Sequence, residues 1–207
     1  MPTYPLTFPA VGLTQAKFRR NVVASQNESI FSMAQQAYKF PGERWEGDVT
    51  FTPMKQSEVA EVQAFFDDLY GVYGTFLYGD PMYLAFGKRG VGGGAPVVNG
   101  AGQTGNTLNI SGCPVSTTGW LKKADYFQLG SGATARLYRL NADVNSDASG
   151  NATLTFNPAL RSSPADLAAL TIDNPMTVMK AASNVSETDS YNPKFYTASF
   201  SFIESLP

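Results

Sequence analysis

The chain contains no histidine and a single cysteine, Cys113, in 207 residues. Without histidine, neither a Ser-His-Asp nor a Cys-His pair is available to activate a nucleophile. Zinc sites built from cysteine and histidine are excluded as well. A lone cysteine forms no internal disulfide. Charge is also scarce: Asp, Glu, Lys and Arg make up 15% of the residues, and the formal net charge is -2. No global positive field exists to hold nucleic acid. The one local basic cluster, Lys17, Arg19 and Arg20, reads as a solvated face or a subunit contact. No apolar run approaches membrane-spanning length. Met1-Pro2-Thr3-Tyr4-Pro5 carries neither the charged nor the apolar region of a secretion signal. The expectation is a protein folded in a cytoplasm, without membrane insertion, in which the Asn-x-Ser/Thr matches at Asn27, Asn109, Asn151 and Asn184 carry no glycan.

What is present is apolar, aromatic and β-prone. Hydrophobic residues make up 43% of the chain and aromatics 13%, enough to build a core without disulfide or metal staples. The first 30 residues are Pro-rich and then polar, with no long period. Ile30 to Phe40 reads as a strand, and Pro41-Gly42 as the turn after it. From Trp45 to Phe51 the alternation is clear. Trp45, Gly47, Val49 and Phe51 share one face and Glu46, Asp48 and Thr50 the other, as in a half-buried antiparallel strand.

One helix is expected from Glu58 to Tyr70. Ser57 is its N-cap, Glu58 and Glu61 favour the first turn, and Gly71 stops it at C′. Val59, Val62, Phe65, Phe66 and Leu69 recur at spacings of three and four and form one apolar face, while Gln63, Asp67 and Asp68 point outward. Phe76 to Tyr78 reads as a short strand ended by an Asp80-Pro81 turn.

At Gly87 the composition changes to small, polar and β-branched residues. Gly90 to Gly105 reads as a flexible surface loop. Strands are expected at Thr107 to Ile110, Tyr126 to Leu129, Ala135 to Ala142, Ala152 to Phe156 and Thr177 to Lys180. Ser163-Pro164-Ala165-Asp166 resembles a capping box opening a short helix to Leu170. In the last segment, Lys194 to Glu204, Tyr196, Ala198, Phe200 and Phe202 alternate with polar neighbours. This aromatic strand matches the Trp45 strand in style, so the two are expected in one sheet beneath the helix. The fold class is mainly β, a sandwich or barrel with one main helix. A first domain, 1–87 with 183–207, is interrupted by an inserted, barrel-like domain, 88–182.

Candidate chemistry is thin. Asp143-x-Asn145-x-Asp147 begins like a calcium loop, but Ala148 stands where the sharp turn needs Gly and Leu154 where the bidentate Glu belongs. A turn over Asp147–Asn151 explains it better. Gly100 and Gly105 have phosphate-loop spacing, but Asn106-Thr107 replaces Lys-Ser/Thr. Asp67, Asp68, Glu43 and Glu46 invite a glycosidase reading, yet adjacent helical residues point about 100° apart. No catalytic, metal or cofactor residue is assigned, and the chain is read as a non-enzyme without a cofactor.

Two stretches carry a resemblance. One runs from Trp45 to Pro81 through Phe65-Phe66-Asp67-Asp68-Leu69-Tyr70-Gly71 and Gly74-Thr75-Phe76-Leu77-Tyr78-Gly79-Asp80-Pro81. It is similar to tail-tip proteins of long-tailed bacteriophages, including distal tail proteins and their relatives in gene-transfer agents. The other comprises Lys123 to Gly130, Arg136-Leu137-Tyr138, Asp147 to Leu154 and Pro158 to Arg161, and resembles a small β-barrel module of phage tail proteins. With the C-terminal strand these cover about two thirds of the chain. The resemblance implies a β domain that assembles as a hexameric ring continuing the tail tube, with a barrel-like domain attached. It also implies a place in the virion, partners in the tail-tube, tape-measure and hub proteins, and no catalytic residues. Alternatives are a tail-tube or tail-completion protein, a carbohydrate-binding host-recognition module, or, from another class, a wall-degrading enzyme.

Overall fold

The computed structural model describes residues 2–184, 187–192 and 195–206. Met1, Lys194, Pro207 and the Val185-Ser186 pair that completes the Asn184 match lie outside the described residues. The protein is mainly β. In chain order the elements are β1 (Leu6–Thr7), β2 (Leu13–Glu28), β3 (Gln35–Phe51), α1 (Gln56–Leu69), β4 (Phe76–Tyr78), α2 (Pro81–Phe86), β5 (Val97–Val98) and β6 (Thr107–Ser111). They continue with β7 (Tyr126–Leu129), β8 (Arg136–Leu140), β9 (Ala152–Asn157), β10 (Leu170–Thr171), β11 (Thr177–Ala181), β12 (Glu187–Asn192) and β13 (Phe195–Glu204).

Two compact units result. One comprises Ala10–Val72 and Lys180–Pro207, here the arm unit; the other comprises Met1–Pro9 and Tyr73–Met179, here the barrel unit. A first unit of 1–87 with 183–207 around one inserted unit was expected; the division falls instead at Pro9/Ala10 and Met179/Lys180 and, between them, at Val72/Tyr73 rather than after residue 87. The physical reason lies in α2. The Tyr83 hydroxyl donates to the carbonyls of Tyr126 (3.2 Å) and Ile172 (3.1 Å), and the Tyr126 hydroxyl donates to Asp80 (2.8 Å). These bonds tie 80–83 to the barrel unit.

In the arm unit β3 is central, antiparallel to β2 on one side and to β13 on the other, with β12 beyond β13. Val49 faces Phe200, and Gly47 faces Phe202. The expected alternation holds: Trp45, Gly47, Val49 and Phe51 are buried and their neighbours half-buried. Helix α1 lays its stripe of Val59, Val62, Phe65, Phe66 and Leu69 inward, each side chain contributing roughly 1.5–3 kcal/mol on burial. The Phe66 ring lies 5.0 Å from that of Phe200, so helix and strand share one core. The helix begins earlier than its cap residues suggested. Lys55 is the N-cap, its amide donating to the Glu58 carboxylate at 2.8 Å, and Ser57 lies inside the first turn. The left-handed stop begins at Tyr70, φ 49°, ahead of Gly71.

The barrel unit holds β1 parallel to β4, β4 antiparallel to β11, and a six-stranded sheet in the order β10-β7-β8-β9-β6-β5 that nearly closes into a barrel. Phe127, Tyr138 and Phe156 form an aromatic triangle with centroids 5.1–5.2 Å apart in its core. Trp120, Leu108 and Ile110 complete the packing.

Four local expectations give way to the structure. Pro41-Gly42 is not a turn: β3 runs through it, opposite a register shift between Val22 and Ala24 that accommodates a proline without a ladder donor. Asp80-Pro81 opens α2, with Asp80 accepting from the Met82 amide and Pro81 in the first turn. Ser163–Asp166 opens no helix, because the Asp166 carboxylate instead accepts from the Gly100 amide at 2.8 Å. The Gly-rich stretch includes a strand, β5, with Val98 fully buried. A side chain at Gly90 would strike the Trp120 carbonyl, and one at Gly94 the Gly112 carbonyl, so these glycines permit close backbone approach.

Candidate assembly interface

Strands β2 and β3 pair along most of their length, from Leu13/Phe51 out to Glu28/Gln35. Up to Val22/Glu43 one face of the pair is packed. Beyond that point both faces are exposed: 23–28 and 30–42 contain no buried or half-buried residue. This two-stranded arm is about 20 Å long at roughly 3.3 Å per residue. The 29–34 turn closes it, with Ser29 and Ala34 paired through the Ser29 amide at 2.9 Å and Met33 at φ 53°.

Read in sequence, these residues gave a strand only from Ile30 to Phe40 and nothing regular before it. Residues of an arm with no buried face are under no pressure to alternate, so the period that reveals a half-buried strand is absent. What the sequence does show is composition. Between Val22 and Gly42 the only charged residues are Glu28 and Lys39. The turn presents Ile30, Phe31 and Met33 at 92%, 99% and 76% exposure, and Tyr38 and Phe40 stack edge to face behind them at 4.9 Å. An isolated two-stranded hairpin is marginal in water. Solvated arms are ordinarily charged to prevent pairing with other chains. Depletion of charge with enrichment of aromatics and Met marks a protein interface core.

At the root of the arm lies a cavity of ≈ 270 Å³, lined by Asn21, Val23, Gly42, Glu43, Arg44 and Leu206. Ion pairs surround it. Glu43, 4% exposed, meets Arg20 at 3.4 Å and Lys39 at 2.6 Å, and Arg44 meets Glu46 at 2.9 Å. Arg19 reaches Asp48 at 2.5 Å and Glu46 at 3.6 Å. The Asn21 amide donates to Glu46, and with Arg44 it holds that carboxyl below its ordinary value. Asp48 is held low by the Ser201 hydroxyl and then Arg19, and Asp48 in turn raises Arg19. Two of the three basic residues singled out in the sequence, Arg19 and Arg20, are thus neutralised across the strand pair, as is the carboxylate candidate Glu43.

The remaining sequence candidates are not brought together. Asp67 and Asp68 stay on the exposed face of α1. Asp143 accepts from the Lys123 amide (2.8 Å) and Lys122 Nζ (3.1 Å), and Asn145 Oδ1 from the Gly119 amide (2.7 Å). Asp147 accepts from the Ser149 and Asn151 amides, both at 2.8 Å, closing the turn expected there. Among the described residues no group of three or more Cys, Asp or Glu could hold a metal ion, and no helix is long and apolar enough to cross a membrane. Cys113 is buried, and burial, with Asp147 nearby, pushes its thiol up to about 11.

The barrel unit carries a second surface feature, a polar groove of ≈ 460 Å³ lined by Asn99, Asn109, Asn145, Asp147, Asn151 and Thr153 among others, with no aromatic in its lining. Hydrogen bonds fix several of these groups: Asn109 Oδ1 accepts from the Thr153 hydroxyl at 2.9 Å, and Asn151 Nδ2 donates to Asp147 at 3.2 Å.

No protein-family model matches the chain, and no curated protein matches it.

Proposed function

We propose that this chain is a structural subunit of a bacteriophage tail tip, a distal tail protein that assembles as a hexameric ring between the tail tube and the hub. The observation that carries the reading is the arm: an exposed, nearly chargeless β ribbon with an apolar turn, which no other part of the described chain covers. Such a surface suits permanent burial in an assembly and poorly suits a protein that remains alone in solution. The resemblance of the Trp45–Pro81 stretch to tail-tip proteins supplies the kind of assembly. The tail-tube, tape-measure and hub proteins are then its neighbours, and the virion its place. No residue in this reading performs chemistry, so the protein is not an enzyme and takes no cofactor. Negative-stain imaging of concentrated protein tests it. Closed sixfold rings with a central hole are expected; dispersed single particles or open filaments would overturn it.

A second reading, a carbohydrate-binding host-recognition module, draws on the barrel unit's groove. Carboxamides held in place by hydrogen bonds suit the hydroxyls of a neutral glycan. The groove lacks the aromatic platform that usually adds stacking area to small-ligand sites. A glycan array distinguishes the readings: saturable binding lost in Asn109→Ala favours the module.

A further inference from the structure

We infer that the apolar turn of the arm (Ile30, Phe31 and Met33) seats in the cavity at the arm's root on a second copy of this chain. The inference rests on the assembly reading above and names the contact that would build the assembly. Four observations carry it.

First, the turn needs cover. Ile30, Phe31, Met33, Tyr38 and Phe40 are all exposed. At roughly 150–250 Å² for a large side chain, they present on the order of 700 Å², close to the ~800 Å² that each partner buries in a standard interface. Second, the cavity has matching chemistry. Val23, Gly42 and Leu206 give it apolar surface, and Val23 and Leu206 are themselves 52% and 42% exposed. Third, the two cannot meet within one chain. They lie at opposite ends of the arm, whose two strands are held in one hydrogen-bonded pair, about 20 Å apart at ~3.3 Å per residue, so the turn reaches only another molecule's root. Fourth, charge selects no foreign partner. Glu28 and Lys39 are the arm's only charges, and the charges around the cavity are already paired within the chain. A turn on one end and its receptor on the other form a heterologous contact, which propagates from copy to copy and closes into a ring when the rotation permits.

The test mixes two full-length variants, Phe31→Cys and Leu206→Cys, under mild oxidation. The native Cys113 is buried and contributes no cross-link. The mass of unmodified and Phe31→Ser protein is followed in parallel over a concentration series. A disulfide joining the two variants, together with self-association weakened at least about tenfold in Phe31→Ser, supports the contact. Circular dichroism of Phe31→Ser should match the unmodified chain, because Phe31 is 99% exposed. Self-association that survives Phe31→Ser, with no disulfide between the variants, overturns the contact and leaves the assembly reading standing. An unmodified chain that does not self-associate, with no disulfide between the two variants, overturns both.

Discussion

Replacing Asp125 by alanine tests how the Gly-rich segment of the barrel unit is held. The Asp125 side chain is 1% exposed. Its Oδ1 accepts from the Arg89 amide at 2.9 Å, and its Oδ2 accepts from the amides of Gly90 (3.0 Å) and Lys122 (2.8 Å). Hydrogen bonds to a charged group contribute ~1.5–3 kcal/mol each, so three taken at face value give roughly 4.5–9 kcal/mol. Arg89 is exposed and Gly90 and Lys122 half-buried, so water can rehydrate part of what is lost. An expected cost of about 3–4 kcal/mol remains. In a chain of this size that lowers the melting temperature by on the order of 10 °C. Trp120 reports on the same place, because its Nε1 donates to the Gly93 carbonyl at 3.0 Å. Thermal unfolding followed by circular dichroism and tryptophan emission is the assay. Asp125→Asn, which retains one acceptor oxygen, should lie between the two. A melting temperature for Asp125→Ala within about 2 °C of the unmodified chain would show that these amides find other partners, and would refute the reasoning.

Gly47→Ala should destabilise the arm unit by about 2–3 kcal/mol, since a Cβ there overlaps the Phe202 ring; denaturant melts check it, and a cost near zero would mean that β3 and β13 shift freely. Asp48 and Glu46 are held below their ordinary values. The stability they contribute is therefore complete above the unfolded values near pH 4 and is lost as the pH falls through the lower folded values. Both groups are partly exposed, so the contribution is at most about 1 kcal/mol. Asp48→Asn should flatten the melting curve's dependence on pH below about pH 4, and a profile identical to the unmodified chain's contradicts this. Cys113, with its thiol pushed up to about 11, should resist alkylation at pH 8 until denaturant is added, and rapid labelling of the native protein would place it at the surface.

The legible parts of this fold are those where burial imposes a period. Trp45–Phe51, Phe200–Phe202 and the stripe of α1 each present one face to a core, and each was readable from the spacing of its apolar residues. The arm was not, because a strand exposed on both faces repeats nothing. Pro41-Gly42, read locally, signals a turn, yet its position opposite a register shift makes it part of a strand. Two Asp/Pro signals of similar appearance diverged for a tertiary reason: Asp80 caps α2, whereas Asp166 is drawn to the Gly100 amide 66 residues away. The glycines at 90 and 94 looked like flexibility and serve close approach. The candidate interface was visible only as composition, a stretch almost without charge, whose place at the end of an arm no local pattern discloses.

The mass of the protein in solution, measured by light scattering from micromolar to high concentration, tests the central claim most directly. An assembly subunit with an uncovered arm should pass from the 22.3 kDa chain to a closed species near six times that mass, without larger intermediates accumulating. A single 22.3 kDa species across the whole series would contradict it.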